Sequence, residues 1–216
     1  MSQPPTTGAT PILPFGEPTP LGLLGLAIGC GALLPIAFGM IPHEPAAAAA
    51  MFSTASWLCL LFGAGCQFLA GVMSLANKNT LGGTLLTTFS FNWVMNWHTL
   101  SEASQGRVTD PTVGVFVDVT FIVIFVVLTY AFGFYSKLLF VFLLDIDALY
   151  LLRIARHFLG PTSPIAPALG TGVGVATLLL MAIALYISFA LLVNPAAGRA
   201  VFPAGGPLFK PTVPTP

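Results

Sequence analysis

The chain reads as an all-α membrane protein: six transmembrane helices in a single bundle, with both termini on the same side. Three observations predict this. Of its 216 residues 56% are hydrophobic and only 6% are charged, whereas a domain dissolved in water carries about 25% charged residues. Six separate stretches are apolar over the roughly 20 residues that a bilayer crossing requires. The loop cations are unevenly divided, with Lys78, Lys137, Arg199 and Lys210 on the side of the termini and Arg107 opposite, joined by Arg153 and Arg156 if these reach the interface. That bias predicts cytoplasmic termini in a bacterial-type inner or plasma membrane. Lipid is therefore the expected surrounding. Seven basic and seven acidic residues cancel, so nothing points to nucleic acid.

The first span runs from about Leu21 to Ile41, with Thr19 as expected N-cap and Pro20 at the first helical position, where its missing N–H is harmless. Gly22, Gly25 and Gly29 lie along one face and predict close backbone approach to another helix. Pro35 should kink or end this helix. The second span, about Ala47 to Ala76, is longer than a perpendicular crossing and should tilt. The third covers about Leu81 to Leu100, followed by a polar loop from Ser101 to Pro111. The fourth, about Val113 to Tyr135, contains Asp118. The fifth, about Leu138 to His157, contains Asp145, Asp147 and Arg153, and the sixth runs from about Ala166 to Val193. Residues 1–17 and 204–216, rich in Pro, are expected as flexible tails around a helical domain at 18–203. No Lys or Arg precedes the first apolar stretch, unlike the basic start of a secretory signal.

The third span carries the most informative pattern. Thr80, Thr84, Thr88, Asn92 and Asn96 fall four apart, which on an α-helix makes a stripe drifting about 40° per step. Polar groups facing lipid are costly, so the stripe must face protein or water. Two readings fit: hydrogen bonds between helices, or the lining of a path for a small polar solute.

Asp118, Asp145 and Asp147 are intramembrane carboxylates, and such groups need a partner, a changed pKa or a water path. Structural pairing and a proton path both meet that need. Asp145 and Asp147 are two apart and point to nearly opposite sides of a helix, so they do not form one paired site. Arg153 lies about two turns beyond Asp145 on roughly the same side and can share a polar seam with it. No nucleophile sits with a base in a catalytic arrangement; His98, Ser101 and Glu102 come nearest and read as a polar helix end. Cys30, Cys59 and Cys66 lie in apolar segments and read as free thiols. His43, His98 and His157 are scattered, so no metal or other cofactor is expected.

Residues from Gly63 to Trp93 resemble the signature of the acetate uptake transporter family, which includes the succinate-acetate permeases. The match lies at Gly63, Gln67, Ala70, Gly71, Asn79, Thr80, Gly82, Thr84 and Trp93. Pro18 to Leu23 resembles the family's N-P-A-P-L-G-L after its opening Asn, and Gly198 to Pro203 resembles its closing G-R-x-x-L-P. The resemblance implies transport of small monocarboxylates such as acetate, a homo-oligomer of six subunits and one pore per subunit. It implies an apolar pore constriction at Leu26, Phe89 and Leu144, and carboxylate-binding groups among Gln67, Asn79, Thr80, Thr84, Thr88 and Asn92. Several motif positions differ: Glu17 replaces Asn, Ser74 replaces Glu, Lys78 replaces Gly, Phe89 replaces Tyr and Asn92 replaces Phe. These departures also suit a second reading, a non-transporting membrane subunit or assembly factor built on the same fold.

Overall fold

The computed structural model describes residues 13–210. Among them the chain forms six helices: α1 (Thr19–Ala37), α2 (Pro45–Ala76), α3 (Thr80–Ser104), α4 (Pro111–Phe132), α5 (Lys137–Leu159) and α6 (Ala166–Ala197). Four of them, α1, α2, α4 and α6, are long and apolar enough to cross a membrane. Together with the composition they mark an integral membrane protein. Apolar side chains such as Trp57, Phe91, Phe116 and Val123 stand exposed on the outer surface, as a lipid-facing or subunit-facing wall requires.

The helix ends follow local chemistry. Glu17, where the family motif has Asn, accepts the Thr19 N–H at 3.0 Å, so the carboxylate supports the start of α1 and Pro18, not Thr19, is the capping residue. Glu44, Asn79, Asp110 and Ser136 each accept backbone N–H groups at the starts of α2, α3, α4 and α5, satisfying donors that have no partner within the helix. Helix α1 ends two residues after Pro35. Helix α3 runs past the predicted Leu100 to Ser104 because Glu102 and Ala103 continue the turn, and Arg107 closes it by a 2.7 Å bond from its Nη2 to Glu102. That bond holds the Glu102 carboxyl below its ordinary range. Helix α6 continues through Pro195 to a left-handed Gly198.

The described parts of the expected tails are anchored. Asn77 holds the backbone of Phe15 and Gly16 through its side-chain amide. Gly206 accepts the Lys137 N–H at 3.0 Å, and Phe209 packs among Tyr130, Phe134 and Phe140. The remaining tail residues lie outside the described range. Asn194 explains the closing motif, because its side chain bonds Val201 and Phe202 and folds that segment back onto α6.

Around the bundle α1 packs between α6 and α2, α2 packs on α3, and α5 packs between α4 and α6. Helices α3 and α4 meet through side chains, with Phe89 edge-on to Phe125 at 5.2 Å between ring centroids. The glycine face of α1 does what its spacing predicts. A Cβ on Gly25 would lie 2.5 Å from the Phe62 carbonyl oxygen, and one on Gly29 would lie 2.8 Å from the Trp93 ring. Gly63 of α2 offers the same ring its opposite face, where a Cβ would sit 2.5 Å away. Gly63 lies in a π-helical stretch, Cys59–Cys66, and such widened turns interrupt α-helices most often at functional sites. All three cysteines are free thiols.

Two expected outcomes follow. Gly25→Ala forces its methyl into backbone that cannot yield, and should cost about 1–3 kcal/mol; Gly31→Ala, whose Cβ would meet Met181 at an ordinary 3.6 Å, should be neutral or slightly stabilising. Thermal unfolding followed by size-exclusion in detergent separates them. Asp110 accepts backbone N–H groups of Val113 and Thr112, and these hold its carboxyl below the ordinary range. A lowered folded-state value contributes stability above the unfolded pKa that is lost as pH falls through the folded one. Hydrogen exchange at Thr112 and Val113 should therefore stay slow near neutrality and accelerate only in strong acid.

Candidate functional site: two polar cavities divided by an apolar plug

The stripe on α3 separates into two groups. Asn79, Thr80 and Thr84 line a cavity of about 470 Å³ with Lys78, Leu128 and Tyr135. Asn92 and Asn96 line another of about 380 Å³, whose walls include Thr99, Arg153, Arg156, Thr177 and Trp93. Phe89 lines the second cavity and is buried between the two groups. Five residues separate Thr84 from Phe89, a rise of about 7.5 Å along a helix.

Phe89 belongs to a buried apolar plug. Leu26, Phe89, Phe125, Leu143, Ile146 and Leu180 are all within 3% of complete burial and belong to one apolar cluster. Phe125 stacks on Phe121 and Tyr150 with centroids 5.8 and 5.5 Å apart, so aromatic rings fill the space where α3 and α4 lack backbone contact. Leu26 and Phe89, two of the three residues of the expected constriction, belong to this buried cluster. Leu144 does not: it is 49% exposed on the outer face of α5, while its neighbour Leu143 is fully buried in the cluster. The helical register turns the expected leucine outward by one position, since adjacent residues on a helix point about 100° apart.

The motif residues also divide by role. Asn79 lines its cavity, but its Oδ1 accepts the Gly82 N–H at 3.0 Å. The Asn-Thr-x-Gly turn is therefore a helix cap first, and that N–H is not available to an anion. Gln67 is buried in α2, and its Oε1 accepts no hydrogen bond from the protein. Ala70 faces Gly22 of α1 and Gly71 faces Thr87 of α3, so this part of the signature keeps three helices close. Thr88 is half-buried beside the plug.

The carboxylates go separate ways. Asp118 of α4 is 3.0 Å from Nε of Arg153 on α5, so the partner of Arg153 is Asp118 and not the seam with Asp145 that the sequence suggested. Asp147 accepts a 2.7 Å hydrogen bond from Thr129, a buried link between α4 and α5. Asp145 has a buried Oδ2 with no protein donor. Arg153 and Arg156 are the functional candidates that sequence reasoning passed over as interface residues. Their spacing of three on an apolar helix was the available signal. Among the described residues no cluster of His, Cys, Asp and Glu could hold a metal ion.

No family model matches the chain. A glyoxylate pathway regulator from Yarrowia lipolytica is 31% identical over 94 residues, 43% of this chain. The chain spans about a third of that relative, 32% of its length. Among solved structures the bacterial acetate channel SatP superposes with a TM-score of 0.73 at 21% identity, covering 88% of this chain and 99% of the channel. This six-helix bundle thus has the fold of that acetate channel.

Proposed function

We propose that this chain is an acetate uptake transporter, an integral membrane protein that passes small monocarboxylates through a pore inside its own bundle. The observation that carries the proposal is that the one polar stripe of α3 lines two cavities, Thr80 and Thr84 in one and Asn92 and Asn96 in the other, with the buried Phe89 between them in the chain. Fold likeness to an acetate channel supports it. Solute would enter at one cavity, shed water at the neck and leave by the other. A hydrophobic constriction resists ions and water, while a monocarboxylate with an apolar tail can be handed between polar stations. Leu26, Phe89 and Leu143 form the neck; Thr80, Thr84, Asn92 and Asn96 line the stations, with Asn79, Thr88 and Gln67 as supporting groups.

In this reading all six helices cross the membrane. Contacts of Phe15 with Asn77 and of Gly206 with Lys137 support ends that share one side, and the loop cations favour the cytoplasm for it. Homo-oligomers, hexamers by family resemblance, would cover part of the exposed apolar wall. Chemistry on the solute is not part of the proposal.

Purified protein in liposomes tests it. Labelled acetate should accumulate above empty vesicles, and absence of uptake overturns the reading in favour of a non-transporting subunit. Phe89→Ala should widen the neck, raise acetate flux by up to about tenfold, equivalent to about 1.4 kcal/mol off the barrier, and admit longer acids such as butyrate. Phe89→Leu, which keeps an apolar plug, should stay near the parent protein. Transport is further proposed to be linked to protons through Asp145, with Asp118 and Asp147, held by Arg153 and Thr129 at the α4–α5 contact, as further carboxylates of the path. Asp145→Asn should then flatten the dependence of uptake on external pH while the protein elutes unchanged from a sizing column; a retained pH dependence removes Asp145 from the path.

A further inference from the structure

We infer that the cavity beyond Phe89 contains a cationic subsite, Arg156 assisted by Arg153, that captures the ionised carboxylate before it meets the neck. The inference rests on the transport reading for its purpose, but its geometry is separate from the neck. Arg153 and Arg156 stand one turn apart on α5 and both line this cavity and the adjoining one of about 880 Å³ under the α3–α4 loop. Each therefore borders the route from the bundle end to the plug.

Their charges are not equivalent. Arg153 is bound to Asp118 at 3.0 Å and its guanidinium lies 5.5 Å from the centre of the Tyr150 ring, so it is positioned and half neutralised. Among the described residues Arg156 has no carboxylate within salt-bridge distance. Asp110, also at the rim, directs its Oδ1 to Thr112 and Val113, and His157 borders only the outer cavity. Counting Arg153, Asp118 and Arg156 leaves a net single positive charge facing the wall where Asn92 and Asn96 present side-chain amides.

One free guanidinium in a cavity that Asn92 also lines matches one carboxylate; the Asn96 amide is engaged by the Asn92 carbonyl. Arg offers a planar pair of N–H donors to both oxygens, and the exposed Arg156 has both free to meet an anion entering from the bundle end. The acyl tail of the same anion would then point toward Trp93, Leu180 and Phe89 at the floor of the cavity. A dianion brings a second charge that this site does not neutralise, because Asp118 already occupies Arg153. The subsite therefore favours short monoanions over dicarboxylates and over the neutral acid.

Trp93 lines the cavity, which supplies a reading independent of transport. Acetate titrated into the detergent-purified protein at pH 7.5 should change tryptophan fluorescence saturably. Arg156→Gln should weaken that binding at least tenfold and raise the KM of liposome uptake with little change in maximal rate. Arg156→Lys, keeping the charge without the fork, should fall between the two. Succinate should bind at least tenfold more weakly than acetate. Unaltered acetate binding in Arg156→Gln, no saturable response in the parent protein, or succinate binding as well as acetate overturns the subsite. If fluorescence responds as expected while liposomes take up nothing, the subsite stands and the transport reading fails.

Discussion

The bundle depends on how closely α1, α2 and α3 approach one another around the indole of Trp93. Gly29 and Gly63 present bare backbone to the ring from two helices, so a large flat side chain is held without room to rotate. Gly25 brings α1 against the carbonyl of Phe62 at the same level. In a membrane there is little hydrophobic gain from bringing helices together, and van der Waals packing of small residues takes its place. Fixing Trp93 also fixes Phe89, one turn earlier on α3 and 6.2 Å away between centroids. The plug thus sits where it does because Gly29 and Gly63 leave space for its neighbour.

The other half of the bundle uses a different device. Helices α4 and α5 are joined by polar pairs, Asp118 with Arg153 and Asp147 with Thr129, on either side of the stack formed by Phe121, Phe125 and Tyr150. Ion pairs of this kind are strong where water is excluded and fix relative position more than they add stability. The α3–α4 boundary, with no close backbone packing, is bridged by the edge-on contact of Phe89 with Phe125. The cavity of Thr80 and Thr84 opens beside it at Leu128, whereas that of Asn92 and Asn96 is walled by α1, α3, α5 and α6.

Much of the motif resemblance has a structural meaning. Asn79 and Gly82 make a helix start, Gly63 and Trp93 make a helix crossing, and the closing segment is folded back by Asn194. Glu17 supports the start of α1 by accepting the Thr19 N–H.

By itself the sequence determined the solvent and the helices, because apolar length, proline and glycine act within a few residues of where they stand. It also required that the polar stripe of α3 meet protein or water and not lipid; in the bundle Asn92 is buried while Thr80 and Thr84 are exposed at the end of the helix. Its reading failed at Leu144 and at the partner of Arg153. Rotating a helix by one residue costs nothing in local propensity, so only packing against α1 and α4 selects Leu143 for the core. Which acid meets Arg153 is likewise a matter between helices distant in the chain. Only the tertiary structure decided that Thr80 and Thr84 line one cavity and Asn92 and Asn96 another, and that among the described residues Arg156 beside the second has no carboxylate partner, because cavities and unpaired charges are properties of the assembled bundle and of no single segment.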